Sequence, residues 1–363
     1  MIPHLRQVLG GLCDAVGYSS TDPQDHWQRD RHALELPRVE RAVLVLIDGM
    51  GAHQLAAHRG HLPYLRHHLD KYARTSLPST TACAITTLGT GREPGRTGMV
   101  GYTARDPHSG ERVQLISFPG APLSPEAWQR EPTIAERCEH EGTFCSVGPR
   151  KFSGSGLTRA AWRGVREVFA ETLSERVEHT LREVRSGARL VYLYWAELDH
   201  VGHIHGPGSP HWTAELEAVD AALGELERRL PRSSALVVTS DHGMIPLTAR
   251  LDVAHAPAAD TFETAGEERF LHVYAQDAHA LRAPLTDWLG QAGAVLTRDQ
   301  AEAHLGAFAP HVRERVGDLV ILARGTYGIS DSRWMSPMQR ALRGGHGSDS
   351  AAECEVPLVV RAL

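Results

Sequence analysis

RAVLVLIDGMG, residues 41–51, is the stretch that decides the fold. Its unbroken aliphatic run leaves no polar face, so a strand here is covered on both sides, as in a parallel sheet between helices. The run ends on Asp48 and a glycine turn, which delivers a carboxylate at the carboxyl end of a strand. Other runs read the same way: ARLVYLYWA (188–196), SALVVTSD (234–241) and VPLVV (356–360). TFCSV (143–147), RFLHVYA (269–275) and GDLVILA (317–323) are further strand candidates. Between them AETLSERVEHTLREVR (170–185) and WTAELEAVDAALGELERRL (212–230) carry helical patterns, the second with apolar residues at 216, 219, 222, 223, 226 and 230. Strands alternating with amphipathic helices predict an α/β fold, a mainly parallel central sheet with helices on both faces.

The 363 residues fit one such domain, spanning 1–363, with a small unit embedded in it. Residues 246–316 hold a strand-and-helix pattern that reads as a small inserted cap. Residues 92–130, rich in Gly, Pro and Arg, read as loops over one end of the sheet. Neither an internal repeat nor a low-complexity linker is visible.

Composition excludes some classes. Hydrophobic residues make up 42% and charged residues 23%, ordinary for a globular chain with a full core. A formal charge of −6 offers no basic surface for nucleic acid or anionic membrane. The five cysteines are odd in number and scattered, with no CxxC pair, so neither a disulfide framework nor a thiolate zinc site is expected. Residues 1–20 lack a basic segment followed by an apolar core, and no apolar run approaches the ~20 residues of a membrane span. A cytoplasmic location is the expectation. Lys71 and Lys151 are the only lysines among abundant arginines, which reads as genomic base bias, and histidine is frequent at 22.

Ligands of open α/β sheets collect at the carboxyl ends of strands. There the chain offers Asp48, then Asp199 and His203 with His200 and His205 nearby, then the adjacent Asp241 and His242. RGGHGSD adds His346 late in the chain. Each has a plain structural reading: a turn aspartate, a solvated i,i+4 pair, a tight turn, a loop histidine. Together at strand ends they point to one site. Three aspartates and three histidines form a mixed N/O donor set without thiolate, suited to Zn²⁺ or Mn²⁺ rather than Ca²⁺. So many ligands suit two ions, the arrangement that clamps attacking and leaving oxygens in phosphoryl transfer.

LPSTTACAITTLGTG, residues 77–91, places Ser79, Thr80 and Thr81 after a proline at a helix start. Such hydroxyls are common caps. A nearby dication would make one of them a nucleophile, and the helix N-terminus would offer amides to a phosphate oxygen.

The ordered set — Asp after strand one, Pro-x-x-Thr, Asp-x-x-x-His, Asp-His-Gly, Gly-His-Gly — resembles the alkaline phosphatase superfamily, and within it the nucleotide pyrophosphatase/phosphodiesterase branch. The resemblance implies that Thr81 is the nucleophile, with Thr80 and Ser79 as lesser candidates. It implies one metal on Asp48, Thr81, Asp241 and His242, a second on Asp199, His203 and His346, and zinc in both. The branch's phenylalanine and asparagine after the nucleophile are Ala82 and Ala84 here, so nucleotide preference does not follow. Tyr102 or Phe152 are candidates for the missing aromatic wall, and the Ala82 amide, Arg150 or Lys151 for the missing oxygen contact. The sulfatase, cofactor-independent phosphoglycerate mutase and alkaline phosphatase nucleophile motifs are absent.

The expectation is therefore a two-metal phosphodiesterase or nucleotide pyrophosphatase acting through a phosphothreonine on a small-molecule phosphate ester, a nucleotide among the candidates. A phosphomonoesterase or phosphonate hydrolase on the same site is the alternative. A metal-stabilised binding protein without turnover is the alternative from another class.

Overall fold

The computed structural model describes residues 2–139 and 144–363. Its central sheet is built from β1 (Arg41–Ile47), β2 (Phe144–Gly148), β3 (Arg166–Phe169), β4 (Leu190–Trp195) and β5 (Ser234–Thr239). A smaller sheet uses β6 (Phe262–Glu267), β7 (Phe270–Ala275), β8 (Gly293–Thr297) and β9 (Leu319–Ala323), and β10 (Val359–Ala362) returns to the central sheet. Spatial order in the large sheet is β10-β5-β1-β4-β2-β3. The first five strands in chain order pair in parallel, and β10 closes one edge antiparallel to β5.

The aliphatic run of β1 is explained by its two neighbours and two covered faces. Alternate residues point to opposite sides. Leu44 and Leu46 join Tyr192, Val237 and Ile85 in one core, while Val43, Val45 and Ile47 join Leu193, Val238 and Leu216 in the other. Full burial of each such side chain stabilises the fold by about 1.5–3 kcal/mol, before chain entropy is set against it.

Around the sheet run α1 (Val8–Ala15), α2 (Thr81–Thr90), α3 (Leu173–Arg185), α4 (Glu197–His205), α5 (Pro210–Arg229), α6 (Ala278–Leu289) and α7 (Arg298–Leu305). Local chemistry sets their ends. Thr172 and Glu175 form a capping box on α3, and Ser209 caps α5 ahead of Pro210. Gly91, at φ +67°, stops α2.

The small sheet, ordered β6-β7-β9-β8, is antiparallel throughout. One face covers α6 through Leu271, Val273, Leu285 and Ile321. The other sets Phe270, Val320 and Leu322 into the same core as α2. The stretch 246–316 holds β6, β7, β8, α6 and α7, and β9 follows it.

Two expectations are corrected. VPLVV is not one strand: Glu355–Pro357 pairs with Tyr72–Arg74, and the chain then crosses to β10. Pro357 has no N–H to carry a ladder onward, which suits a change of sheet there. Residues 92–130 are not all loop, since they include the short helices Pro94–Thr97 and Pro125–Trp128 and a pairing of Thr103–Arg105 with Arg112–Gln114. The strand expected at 143–147 is found as β2, its first residue Thr143 lying outside the described residues.

Candidate metal centre

Strand register brings the site together. Ile47 lies beside Trp195, and Leu46 beside Thr239, so β1, β4 and β5 end level. Asp48 follows β1 directly, Asp241 and His242 follow β5, and Asp199 and His203 stand one turn apart on α4. Gly49, at φ +72°, turns the chain beneath Asp199; a Cβ there would lie 3.0 Å from the Asp199 backbone and carboxylate. Only glycine fits comfortably.

These donors converge. Oxygen or nitrogen atoms of Asp48, Asp241 and His242 lie within 4.8 Å of one another, and so do those of Asp199, His242 and His346. His242 Nε2 is 3.4 Å from Asp48 Oδ1 and 3.3 Å from Asp241 Oδ2. His203 Nε2 is 3.3 Å from Asp199 Oδ2 and 3.2 Å from His346 Nε2. Asp48, Asp241 and His242 are buried.

The histidines share one orientation. Nδ1 of His242, His203 and His346 each meets a backbone carbonyl, of Gly243, Gly344 and Ser79, at 3.1, 2.9 and 2.9 Å. With Nδ1 turned outward to a carbonyl, each Nε2 is the nitrogen left facing the cluster, which is how metal-binding imidazoles are held.

Electrostatics gives the same message. Asp48 Oδ1, Asp199 Oδ1 and Asp241 Oδ2 are buried without a hydrogen-bond partner among the described residues. Buried carboxylates left so cost several kcal/mol unless a cation compensates them. Burial, reinforced by Asp241 and Asp199, pushes the Asp48 pKa well up. Burial also works to raise Asp199, but His203 outweighs it and holds that carboxyl well below its usual range. Burial opposes protonation of His203, and Asp199 overcomes it, raising the imidazole to about 9. His346 is pushed well down, by burial first and then by His242. This mixed nitrogen and oxygen donor set fits divalent-cation binding, and all five cysteines are free and buried.

Of the three hydroxyls at the start of α2, Thr81 faces the cluster, with Oγ1 3.2 Å from His242 Nε2. Ser79 Oγ instead donates to the Ser348 carbonyl at 2.7 Å. Thr80 is the residue before the helix and makes no side-chain cap, so its hydroxyl does not take up the first-turn amides.

Beside Thr81 opens a cavity of about 370 Å³, reached by Asp48, Asp199 and His203 on one side and walled by Ile85, Trp162, Tyr192 and Phe152 on the other. Phe152 and Lys151 thus line it, whereas Tyr102 and Arg150 do not. Gln114 donates to the Tyr102 hydroxyl, and Arg150 lies over the Phe169 ring at 4.2 Å. His200 reaches the cavity rim, while His205 stacks on His211. Sequence reasoning missed Tyr194, whose hydroxyl donates to Asp48 Oδ2. The signal was there: Tyr192 and Tyr194 share one face of β4 near its carboxyl end.

The comparisons with known proteins agree with this geometry. The family model for type I phosphodiesterase / nucleotide pyrophosphatase matches residues 42–349. An uncharacterized pyrophosphatase/phosphodiesterase of Schizosaccharomyces pombe is 26% identical over 221 residues, 56% of this chain and 44% of that protein. The human GPI ethanolamine phosphate transferase 2 catalytic subunit is 24% identical over 58% of this chain and 22% of its own length. The matches thus span less than half the length of these curated relatives. Among solved structures, murine ectonucleotide pyrophosphatase/phosphodiesterase 5 superposes with a TM-score of 0.70 at 17% identity, covering 89% of this chain and 88% of that one. Phosphonoacetate hydrolase from Sinorhizobium meliloti 1021 does so with a TM-score of 0.67 at 20% identity, covering 89% and 90%. No described helix is long and apolar enough to cross a membrane. With its match running through most of the sheet and every candidate ligand, the chain belongs to the type I phosphodiesterase / nucleotide pyrophosphatase family, in the alkaline phosphatase superfamily.

Proposed function

We propose that the protein hydrolyses phosphodiesters with Thr81 as nucleophile. The observation that carries this reading is the position of Thr81 Oγ1, 3.2 Å from His242 Nε2 at the head of a helix and beside carboxylate oxygens that lack partners. Asp48, Thr81, Asp241 and His242 would hold one cation, and Asp199, His203 and His346 the other. When bound, the pair would supply positive charge against the phosphoryl oxygens and lower the pKa of the Thr81 hydroxyl.

The chain's own groups do the rest. Thr81 Oγ1 forms a bond to phosphorus as the bond to the leaving alkoxide or aryloxide breaks; the threonine proton leaves to solvent and the departing oxygen takes one up. A water then attacks the phosphothreonine, restoring the hydroxyl and releasing the phosphomonoester. The Ala82 N–H at the start of α2 would donate to a non-bridging oxygen, in the role the missing asparagine would have had. Tyr194 fixes the Asp48 carboxylate from behind. An inactive Thr-to-Ala variant of the murine protein was solved with AMP, a phosphomonoester of the kind that diester cleavage releases.

The test is turnover of methyl 4-nitrophenyl phosphate by zinc- or manganese-loaded protein and its Thr81→Ala variant. Loss of kcat on the order of 10³-fold or more, with metal content unchanged, is expected. Retained turnover would remove Thr81 from the mechanism, and release of phosphate from monoesters alone would overturn the diester reading.

A further inference from the structure

The cavity beside Thr81 says more than that a phosphate binds. Its walls are largely hydrocarbon and aromatic: Ile85 one turn along α2 from Thr81, Trp162 stacked on Tyr192 at 4.2 Å between ring centres, and Phe152 against Tyr194 at 5.8 Å. At about 370 Å³ it stands at the small end of ligand pockets and has room for one ring system. Several of its polar side chains are already engaged, while the Tyr192 hydroxyl is buried without a hydrogen-bond partner among the described residues. Ser155 Oγ bonds Thr158 Oγ1 at 3.0 Å, Thr158 Oγ1 donates to the Phe152 carbonyl at 2.8 Å, and Glu167 accepts from Ser153 at 2.8 Å.

Charge narrows the choice. Glu197 lies 3.4 Å from the buried Arg176, which largely neutralises it. Lys151 and Glu167 remain, one of each sign. An anionic substituent would face Glu167, and a cationic one would face Lys151. A ring edge or face, by contrast, finds Phe152, Trp162 and Tyr192 among the lining residues.

We infer that this cavity selects phosphate esters whose substituent is an uncharged, apolar aromatic ring, in preference to nucleosides and to small carboxylated phosphonates. The inference rests on the proposed phosphodiesterase reading for the placement of phosphorus at Thr81. Ile85 and Phe152 are then specificity residues, acting through the shape of the pocket.

Binding tests it without requiring turnover. Zinc-loaded protein is titrated calorimetrically with phenylphosphonate, methylphosphonate, phosphonoacetate and AMP. Phenylphosphonate should bind about 10-fold tighter than methylphosphonate, a difference of about 1.4 kcal/mol, and tighter than the other two. Ile85→Trp, which fills the pocket, should bring the phenyl-to-methyl ratio to within about twofold. Phe152→Ala, at a half-buried position where folding is less at risk, should lower the same ratio. Equal affinity for phenyl and methyl, a stronger preference for AMP or phosphonoacetate, or no phosphonate binding would each overturn the inference. Diester turnover lost in Thr81→Ala but with no phenyl preference would sink the pocket assignment alone. A phenyl preference in a protein that hydrolyses no diester would sink the proposed reaction and leave the pocket standing.

Discussion

Two buried charged regions meet the same late segment of the chain, one at His346 and one at Glu353 in the short helix Ala351–Cys354, and they are built in opposite ways. At Glu353 every charge is answered: Arg269 Nε and Nη2 donate to its two oxygens at 3.0 and 2.7 Å, the Ser348 N–H and Ser350 hydroxyl add to them, and Arg269 Nη1 donates to the Tyr327 carbonyl. At His346, the chain enters a cluster in which three carboxylate oxygens have no hydrogen-bond partner among the described residues. Arg269 and Glu353 are as buried as Asp241 and His242. Burial therefore does not distinguish scaffold from site; completeness of pairing does. The paired region joins β7 to the end of the chain, and the unpaired one holds back donors for something the chain does not itself contain.

The strongest way to break this contrast is to remove one partner from the complete pair. Glu353→Ala leaves Arg269 buried and uncompensated, and should cost roughly 3–5 kcal/mol in urea unfolding. A loss under about 1 kcal/mol would mean the pair is not structural. Metal should act on the other region only. Free zinc at about 100 times its Kd should stabilise the protein by about 2.7 kcal/mol relative to chelator, read as a rise in Tm. Glu353→Ala should show the same increment, because it leaves the ligands in place. No increment in either protein would deny the cluster its role as a cation site.

A smaller effect of opposite sign sharpens the comparison further. Asp48→Asn keeps an acceptor for Tyr194 but deletes one of three crowded charges. Burial, with Asp241 and Asp199 near, is what pushes the Asp48 pKa up, so in chelator the variant should be more stable than wild type, read as a higher urea midpoint. It should lose most of the zinc increment. Destabilisation in chelator would place Asp48 with Glu353 as a structural charge.

How much of this was legible in the sequence follows from the range of the interactions. The strand runs at 41–48, 188–196 and 234–241 could be read because period and apolarity are local, and the candidate ligands because strand ends are where such groups collect. β3, Arg166–Phe169, escaped notice: it is an edge strand, half-buried and short, with no apolar run to mark it. The division of 356–360 between two sheets depends on partners far away in sequence, Tyr72–Arg74 and β5. The carbonyls of Ser79 and Gly344 that orient two histidines carry no side-chain signature at all. The cavity wall was hidden for a similar reason, since Ile85, Trp162 and Tyr192 come from three separate elements and each reads alone as core.

Glu267 lies where the two regions meet, and it gives the smallest and most local test. It is the last residue of β6, two residues before Arg269, with its carboxyl 3.0 Å from where a Cβ on Gly347 would be. Its Oε2 accepts the Tyr102 N–H, while Oε1 is buried without a hydrogen-bond partner among the described residues. Burial raises its pKa from 4.5 to about 8. The native state therefore holds a proton that the unfolded chain gives up at lower pH, so this group makes stability fall as pH rises from about 4.5 to about 8 and has no further effect above. Glu267→Gln keeps the acceptor for Tyr102 and removes the titration. At pH 8 the variant should be more stable by roughly 1 kcal/mol, a modest figure because the side chain is partly screened by water, and the difference should vanish by about pH 4. Parallel stability profiles for the two proteins would show that the carboxyl titrates normally, and that the seam beside His346 is as fully compensated as the pair at Glu353.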